Sequence, residues 1–212
     1  MENKNNLIIS IGRQFGAGGR QVGKKLAERL QLPYYDKELV FEAAKEYGFA
    51  PEFFNNSDER QDAANASSNL LQWVENLIFG SVETKNFLSM DALFEMQADA
   101  IRRIASEHAC VIVGRCSDYI LRDNPNCVSI FLHSSDDDRA ARIAERTKIS
   151  KEEALEKMKL EDKQRAAYYN FYANKTWGMS STYNLSINVS TLGVDGTVEF
   201  IIHYLKSGRY LL

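Results

Sequence analysis

Five short apolar runs punctuate the chain: NLIISI (6–11), PYY (33–35), CVIVG (110–114), CVSIFLH (127–133) and NLSINVS (184–190). Each has strand length, and the continuous apolar character of the middle three fits strands covered on both faces. Longer stretches with helical spacing lie between them. Val22, Leu26, Ala27 and Leu30 share one face, and Leu93, Phe94, Gln97, Ile101, Ile104 and Ala105 share another just ahead of the third run. This alternation predicts an α/β fold with a five-stranded parallel sheet and covering helices.

The segment 41–86 breaks the rhythm. It holds no strand-like run, and its apolar residues, among them Phe53, Leu70, Trp73 and Leu77, predict a lobe of two or more helices. SDERQDAANASSN (57–69) is its expected mobile connection. The whole of 1–212 is expected as one domain with this lobe inserted.

The first run leads into GRQFGAGGRQVG and then a helical pattern. A strand, a glycine loop and a helix N-terminus together bind phosphate, because successive backbone N–H groups turn inward in front of the positive end of the helix dipole. The candidate phosphate-binding residues are Arg13, Gly16, Ala17, Gly18, Gly19, Arg20 and Gln21. The Walker pattern G-x-x-x-x-G-K-[S/T] carries a lysine for the transferred phosphate and a hydroxyl for Mg²⁺. Gly19 stands where the lysine is expected, and no hydroxyl follows it. Arg13, Arg20 and Lys24 are the nearby cations. A plain tight turn would produce the same glycines, and the G-x-G-x-x-G dinucleotide pattern is not met.

Composition narrows the class. The 212 residues are 44% hydrophobic and 26% charged with three prolines, as expected of a folded protein. The net charge is −3 and the 26 basic residues are dispersed, so no nucleic-acid footprint is indicated. The N-terminal apolar run is far shorter than a membrane span, which predicts a cytoplasmic protein without a membrane partner. Cys110, Cys116 and Cys127 show no C-x-x-C and are expected as plain thiols. His108, His133 and His203 show no ligand spacing, and no protein metal site is expected.

Further candidates follow along the chain. Asp36 ends the second run, where open α/β sheets bind ligands, although a helix N-cap would also suit it. Arg115 follows the third run, and a planar guanidinium can grip two phosphate oxygens. Arg139, Arg142 and Arg146 lie on one helix face, as catalytic cations or as a solvated surface. Ser150 and Glu153 form a capping box for the next helix, whose stripe Leu155, Met158, Asp162, Arg165 and Tyr169 places Asp162 and Arg165 one turn apart. These two could pair with each other. The aromatic group around Tyr168, Tyr169, Phe171, Tyr172 and Trp177 is expected to pack in the core.

Taken in order, SIGRQFGAGG, VGKKLA, LPYYDKELV, VIVGRCSDYIL, VSIFLHSSDDDRAARIAER, EDKQRAAYY and TWGMSSTYNLSINVSTLGVDG resemble the bacterial cytidylate kinases, and most closely the cytidylate kinase-like proteins. The resemblance covers nearly the whole chain. It implies a P-loop kinase fold, a three-layer sandwich, with ATP on one side, an acceptor nucleotide on the other and a helical lid over 136–172. It further implies that Arg139, Arg142 and Arg146 act with Arg20 in catalysis, and that Asp36, Arg115, Asp162 and Arg165 bind the acceptor. Only Asp36 survives of the cytidylate kinases' D-[ST]-G-x-x-Y-R, and Cys116 replaces the aspartate of their G-R-D, with Asp118 nearby.

The function expected is transfer of the ATP γ-phosphate to a small acceptor such as a nucleoside monophosphate, with Mg²⁺ held through water and substrate oxygens. Arg13 or Arg20 would replace the lysine, and Gly19→Lys would raise the turnover of a weakened kinase. The alternative is a non-catalytic nucleotide-binding regulator on the same fold. The 41–86 lobe would serve the acceptor side or self-association.

Overall fold

The computed structural model describes residues 6–36, 90–208 and 210. The expected lobe over 41–86 and its connection lie outside them. The chain divides into two compact units, Met1–Asp36 with Ala105–Leu212, and Lys37–Ile104. Of the second unit the described residues are 90–104, most of helix α2.

The strands are β1 (Ile8–Arg13), β2 (Tyr34–Tyr35), β3 (Cys110–Val113), β4 (Cys127–His133) and β5 (Leu185–Asn188). Among the described residues the helices are α1 (Gly19–Leu30), α2 (Met90–Glu107), α3 (Ser117–Ile120), α4 (Asp136–Thr147), α5 (Lys151–Ala173) and α6 (Val189–Ser207). All five expected strands form, as one parallel sheet in the order β2-β3-β1-β4-β5. The fifth is shorter than its apolar run predicts. Asn188 caps α6 by accepting the N–H of Ser190 at 3.0 Å, which turns the last apolar residues into helix.

Alternate strand residues divide the sheet's faces. Ile9, Ile11, Val111, Val113, Val128, Ile130, Leu132 and Ile187 form one core with Val22 and Leu26 of α1 and Val198, Ile201 and Leu205 of α6. Leu26 is wholly buried there, so truncating it to alanine costs about 2–5 kcal/mol. On the other face Ser10 of β1 shares a buried 2.6 Å hydrogen bond with Ser117 of α3. Helices thus cover both faces.

The helices α4 and α5 form a pair beside the sheet. Ala140 and Ile143 pack on Ala154 and Met158, with Phe15 of the loop after β1 against them. The expected capping box is present: Ser150 Oγ accepts the Glu153 N–H at 3.1 Å, and Glu153 accepts the Ser150 N–H at 2.8 Å. No helix among the described residues is long and apolar enough to cross a membrane.

Candidate functional site

The glycine loop leaves β1 with its backbone anchored to the sheet. Gln14 N–H donates to Leu132 C=O at 3.0 Å, and Ala17 N–H donates to Gln14 C=O at 3.3 Å. Gly16 and Gly18 then take positive φ, 77° and 84°. Gly18 is the N-cap of α1 and has no side-chain cap. The first amides of α1 have no intrahelical acceptor, and the helix dipole behind them favours negative charge at this end. Ala17 and Gly19 are buried there, while Arg20 and Gln21 are exposed on the first turn.

On the side of α4 and α5, Phe15 is gripped at three points. Its N–H donates to Asp162 Oδ1 at 2.7 Å, and its C=O accepts from Arg139 Nε at 2.8 Å. The guanidinium carbons of Arg165, at 5.2 Å, and Arg146, at 5.4 Å, both lie over its ring. Arg139 is buried and pairs with Asp162 and with Asp136, and Arg142 donates to the Gly16 carbonyl. Asp162 therefore turns to Arg139 and the loop. Arg165 instead lies 3.9 Å from Glu161 and donates to the Arg13 carbonyl at 3.2 Å.

On the strand side, Asp36 at the end of β2 is buried and accepts from Arg20 Nε at 2.5 Å and Arg13 Nη2 at 3.4 Å. Burial pushes Arg13 down, to about 9, and the charges of Arg165, Arg115 and Arg20 push the same way, opposed by Asp36. Arg115 lies in an unusual turn after β3, where Gly114, Arg115 and Cys116 all have positive φ, 78°, 62° and 54°. A non-glycine residue there carries strain of the kind that clusters at functional sites.

Arg13 also explains Gly19. A Cβ on Gly19 would lie 2.6 Å from Arg13 Cγ and 2.8 Å from Arg13 Cβ. Gly19→Lys, expected to raise the turnover of a weakened kinase, would first have to displace the Arg13 stem, which fills the space that side chain needs. A Cβ on Gly114 would lie 1.8 Å from Arg13 Nη1, so a glycine flanks this arginine at each end. Lys24 points elsewhere, over the Tyr34 ring at 5.9 Å.

Beyond this cluster, Asp118 accepts from the hydroxyl of buried Tyr169 at 2.6 Å, and burial raises its pKa. Tyr169 is core, as expected, and Trp177 packs edge-on against Phe131. Phe171 departs from that expectation and is exposed. The three cysteines are free, and burial holds the thiols of Cys110 and Cys127 up at about 12, which makes them unreactive. His108 Nε2 meets the Tyr35 hydroxyl at 2.9 Å. Among the described residues no group of three or more His, Cys, Asp or Glu could hold a metal.

Two parts of the site were not foreseen. Phe15 read only as a loop residue, and the pairing of Arg13 with Gly19 went unseen. The Walker spacing contains that second signal: counting back from Gly19, Arg13 falls on the pattern's first glycine.

Comparison with known proteins bears on the fold that carries this arrangement. An uncharacterized protein from Eubacterium ventriosum has 35% identity and a TM-score of 0.71, over 95% of this chain and 99% of that one. Shikimate kinases share the fold at low identity. The one from Bacteroides thetaiotaomicron has 13% identity and a TM-score of 0.55, covering 94% of this chain and 98% of its own. That of Acinetobacter baumannii, in complex with shikimate, has 15% and 0.51, covering 97% and 95%. No curated protein matches. The five-stranded parallel sheet with its helices is thus a P-loop kinase fold, and the model of the cytidylate kinase-like family matches residues 8–191. The chain is a member of the cytidylate kinase-like family.

Proposed function

We propose that the protein is a phosphotransferase that binds ATP at the glycine loop and passes its γ-phosphate to a small acceptor, a nucleoside monophosphate by analogy with the family. The observation that carries this reading is a cluster of arginines at one sheet edge beside the glycine loop. Arg165, Arg115 and Arg20 all act on Arg13, with Asp36 opposing them. Like charges gathered in a desolvated place call for an anion. Phosphoryl transfer needs little more from a protein than positioning and such charge.

In this reading the loop amides take the donor phosphates. Arg115 and Arg165 face the acceptor, and Arg142 with Arg146 approaches from the lid. Among the described residues none fits a protein-held Mg²⁺: Arg20 stands where the hydroxyl is expected, and Asp36 is engaged by two arginines. Mg²⁺ would arrive on the oxygens of ATP. The protein would act in the cytoplasm.

Single-turnover assays with γ-labelled ATP and a panel of nucleoside monophosphates test the proposal. Labelled diphosphate is the expected product. ATP binding without product for any acceptor would leave the regulator reading in its place.

A further inference from the structure

The Walker register and the packing of the loop meet on one pair of residues. In G-x-x-x-x-G-K-[S/T] the first glycine and the lysine are six positions apart. Here Arg13 occupies the first and Gly19 the second. The two residue types have changed places, and in the fold they touch. The Arg13 stem lies over the Gly19 Cα, where a Cβ would come within 2.6 Å of Arg13 Cγ.

We infer that Arg13 and Gly19 are an exchanged pair, in which the cation of the phosphate loop has moved from the first residue of α1 to the last residue of β1 and the glycine has moved to α1 to clear its path. This rests on the phosphotransfer reading above and assigns within it the residue that does the lysine's work.

Three further observations carry it. Gly114 is the second clearance, since a Cβ there would lie 1.8 Å from Arg13 Nη1. Asp36 supplies the anchor at the far end. Arg20, the other cation able to replace the lysine, has a side chain that is 52% exposed, against 17% for Arg13. The Arg13 side chain is preorganised by its packing between two glycines, whereas Arg20, although its Nε also meets Asp36 at 2.5 Å, keeps half its side chain in water.

The ligand class is the terminal phosphate of a nucleoside triphosphate, met from the side of β2 and β3. During transfer the bond from the γ-phosphorus to the β–γ bridging oxygen breaks, and that oxygen keeps the electron pair. A new P–O bond forms to the acceptor oxygen, and any proton that oxygen carried passes to solvent. Arg13 stays protonated throughout and contributes charge and hydrogen bonds only.

The test is a swap. Wild type, Arg13→Gly, Gly19→Lys and the double variant are compared for single-turnover transfer from ATP and for melting temperature with and without ATP. Arg13→Gly is expected to slow transfer about a hundredfold. Gly19→Lys slows transfer and lowers the melting temperature, because lysine and Arg13 compete for one space. The double variant recovers about tenfold or more over either single change, the sign of direct coupling.

Arg13→Gly at the wild-type rate, or a faster Gly19→Lys, would overturn the inference while leaving the phosphotransfer reading intact. Wild type without product or ATP-dependent stabilisation would overturn that reading, and this inference with it. A second pair reads the packing even where turnover is slow. Gly19→Ala should lower the melting temperature beside Arg13 and leave it unchanged in an Arg13→Ala background; equal losses in both would also overturn the exchange.

Discussion

Arg139 and Arg13 lie on opposite flanks of the same glycine loop, and both are largely withdrawn from water. Arg139 meets two carboxylates, Asp136 and Asp162, and a loop carbonyl. Arg13 shares one carboxylate with Arg20 and has the charges of Arg165 and Arg115 against it as well. The α4 and α5 flank thus gives one buried arginine two carboxylates, whereas on the strand flank two arginines share Asp36 and two more act on Arg13. A buried, paired arginine chiefly holds a conformation, whereas arginines gathered side by side favour an anion among them. Arginine count alone would not have separated the two.

The largest effect should come from breaking the α4 and α5 flank. Asp162→Asn leaves Arg139, itself buried, with only the exposed Asp136, and weakens the hold on Phe15. A loss of about 3 kcal/mol in unfolding free energy by urea titration is expected. The same variant should alter acceptor KM less than Arg165→Lys does. If KM rises steeply while stability holds, Asp162 serves the acceptor instead.

On the strand flank a smaller stability effect should accompany a larger functional one. Gly114→Ala adds a Cβ in the left-handed region and meets Arg13 Nη1, costing about 2 kcal/mol. The flexible tip of Arg13 can move aside, so the protein should fold but lose the ATP-dependent rise in melting temperature. Asp36→Asn should cost less, about 1 kcal/mol, because half-exposed Arg20 is relieved by water. Added phosphate should stabilise this variant more than wild type. If phosphate acts equally on both, the cluster is not the anion site.

The arginine cluster also has a pH signature. Burial brings the Arg13 value down from the ordinary 12.5 to about 9 in the folded state. Across that window the unfolded chain binds more protons, so this residue's contribution to stability rises with pH. Anion binding runs the other way, because it needs the charged form. ATP-dependent stabilisation should therefore shrink as pH rises through about 9 and lose that dependence in Arg13→Ala, as thermal shift at several pH values would reveal.

The frame was the easier part to read from sequence. Apolar runs located all five strands, and Ser150 with Glu153 announced the start of α5, because each signal is local and repeats a known period. The candidate cations were legible as residue types, but their partners were not. Asp162 sits one turn from Arg165, yet it faces Arg139 twenty-three positions earlier, and helix spacing cannot express a contact between two helices. Gly19 looked like a loss because the space it leaves is filled by Arg13, six residues away around a loop. Only coordinates show which side chain occupies a missing one's place.

The smallest effect sharpens the comparison from outside the loop. Asp118 is a single half-buried carboxylate with a tyrosine hydroxyl for a partner, and burial raises its pKa. The folded state thus favours its protonated form. Its favourable contribution is present at acid pH and lost as pH rises through the raised value. Asp118→Asn cannot ionise, and its amide oxygen can still accept from Tyr169. The variant should match wild type in acid and become slightly the more stable toward neutral pH, measured as urea midpoints across the range. If it is less stable at neutral pH, the ionised carboxylate is doing what Asp136 and Asp162 do for Arg139. The positive partner would then be Lys175, which already pulls the Asp118 value down.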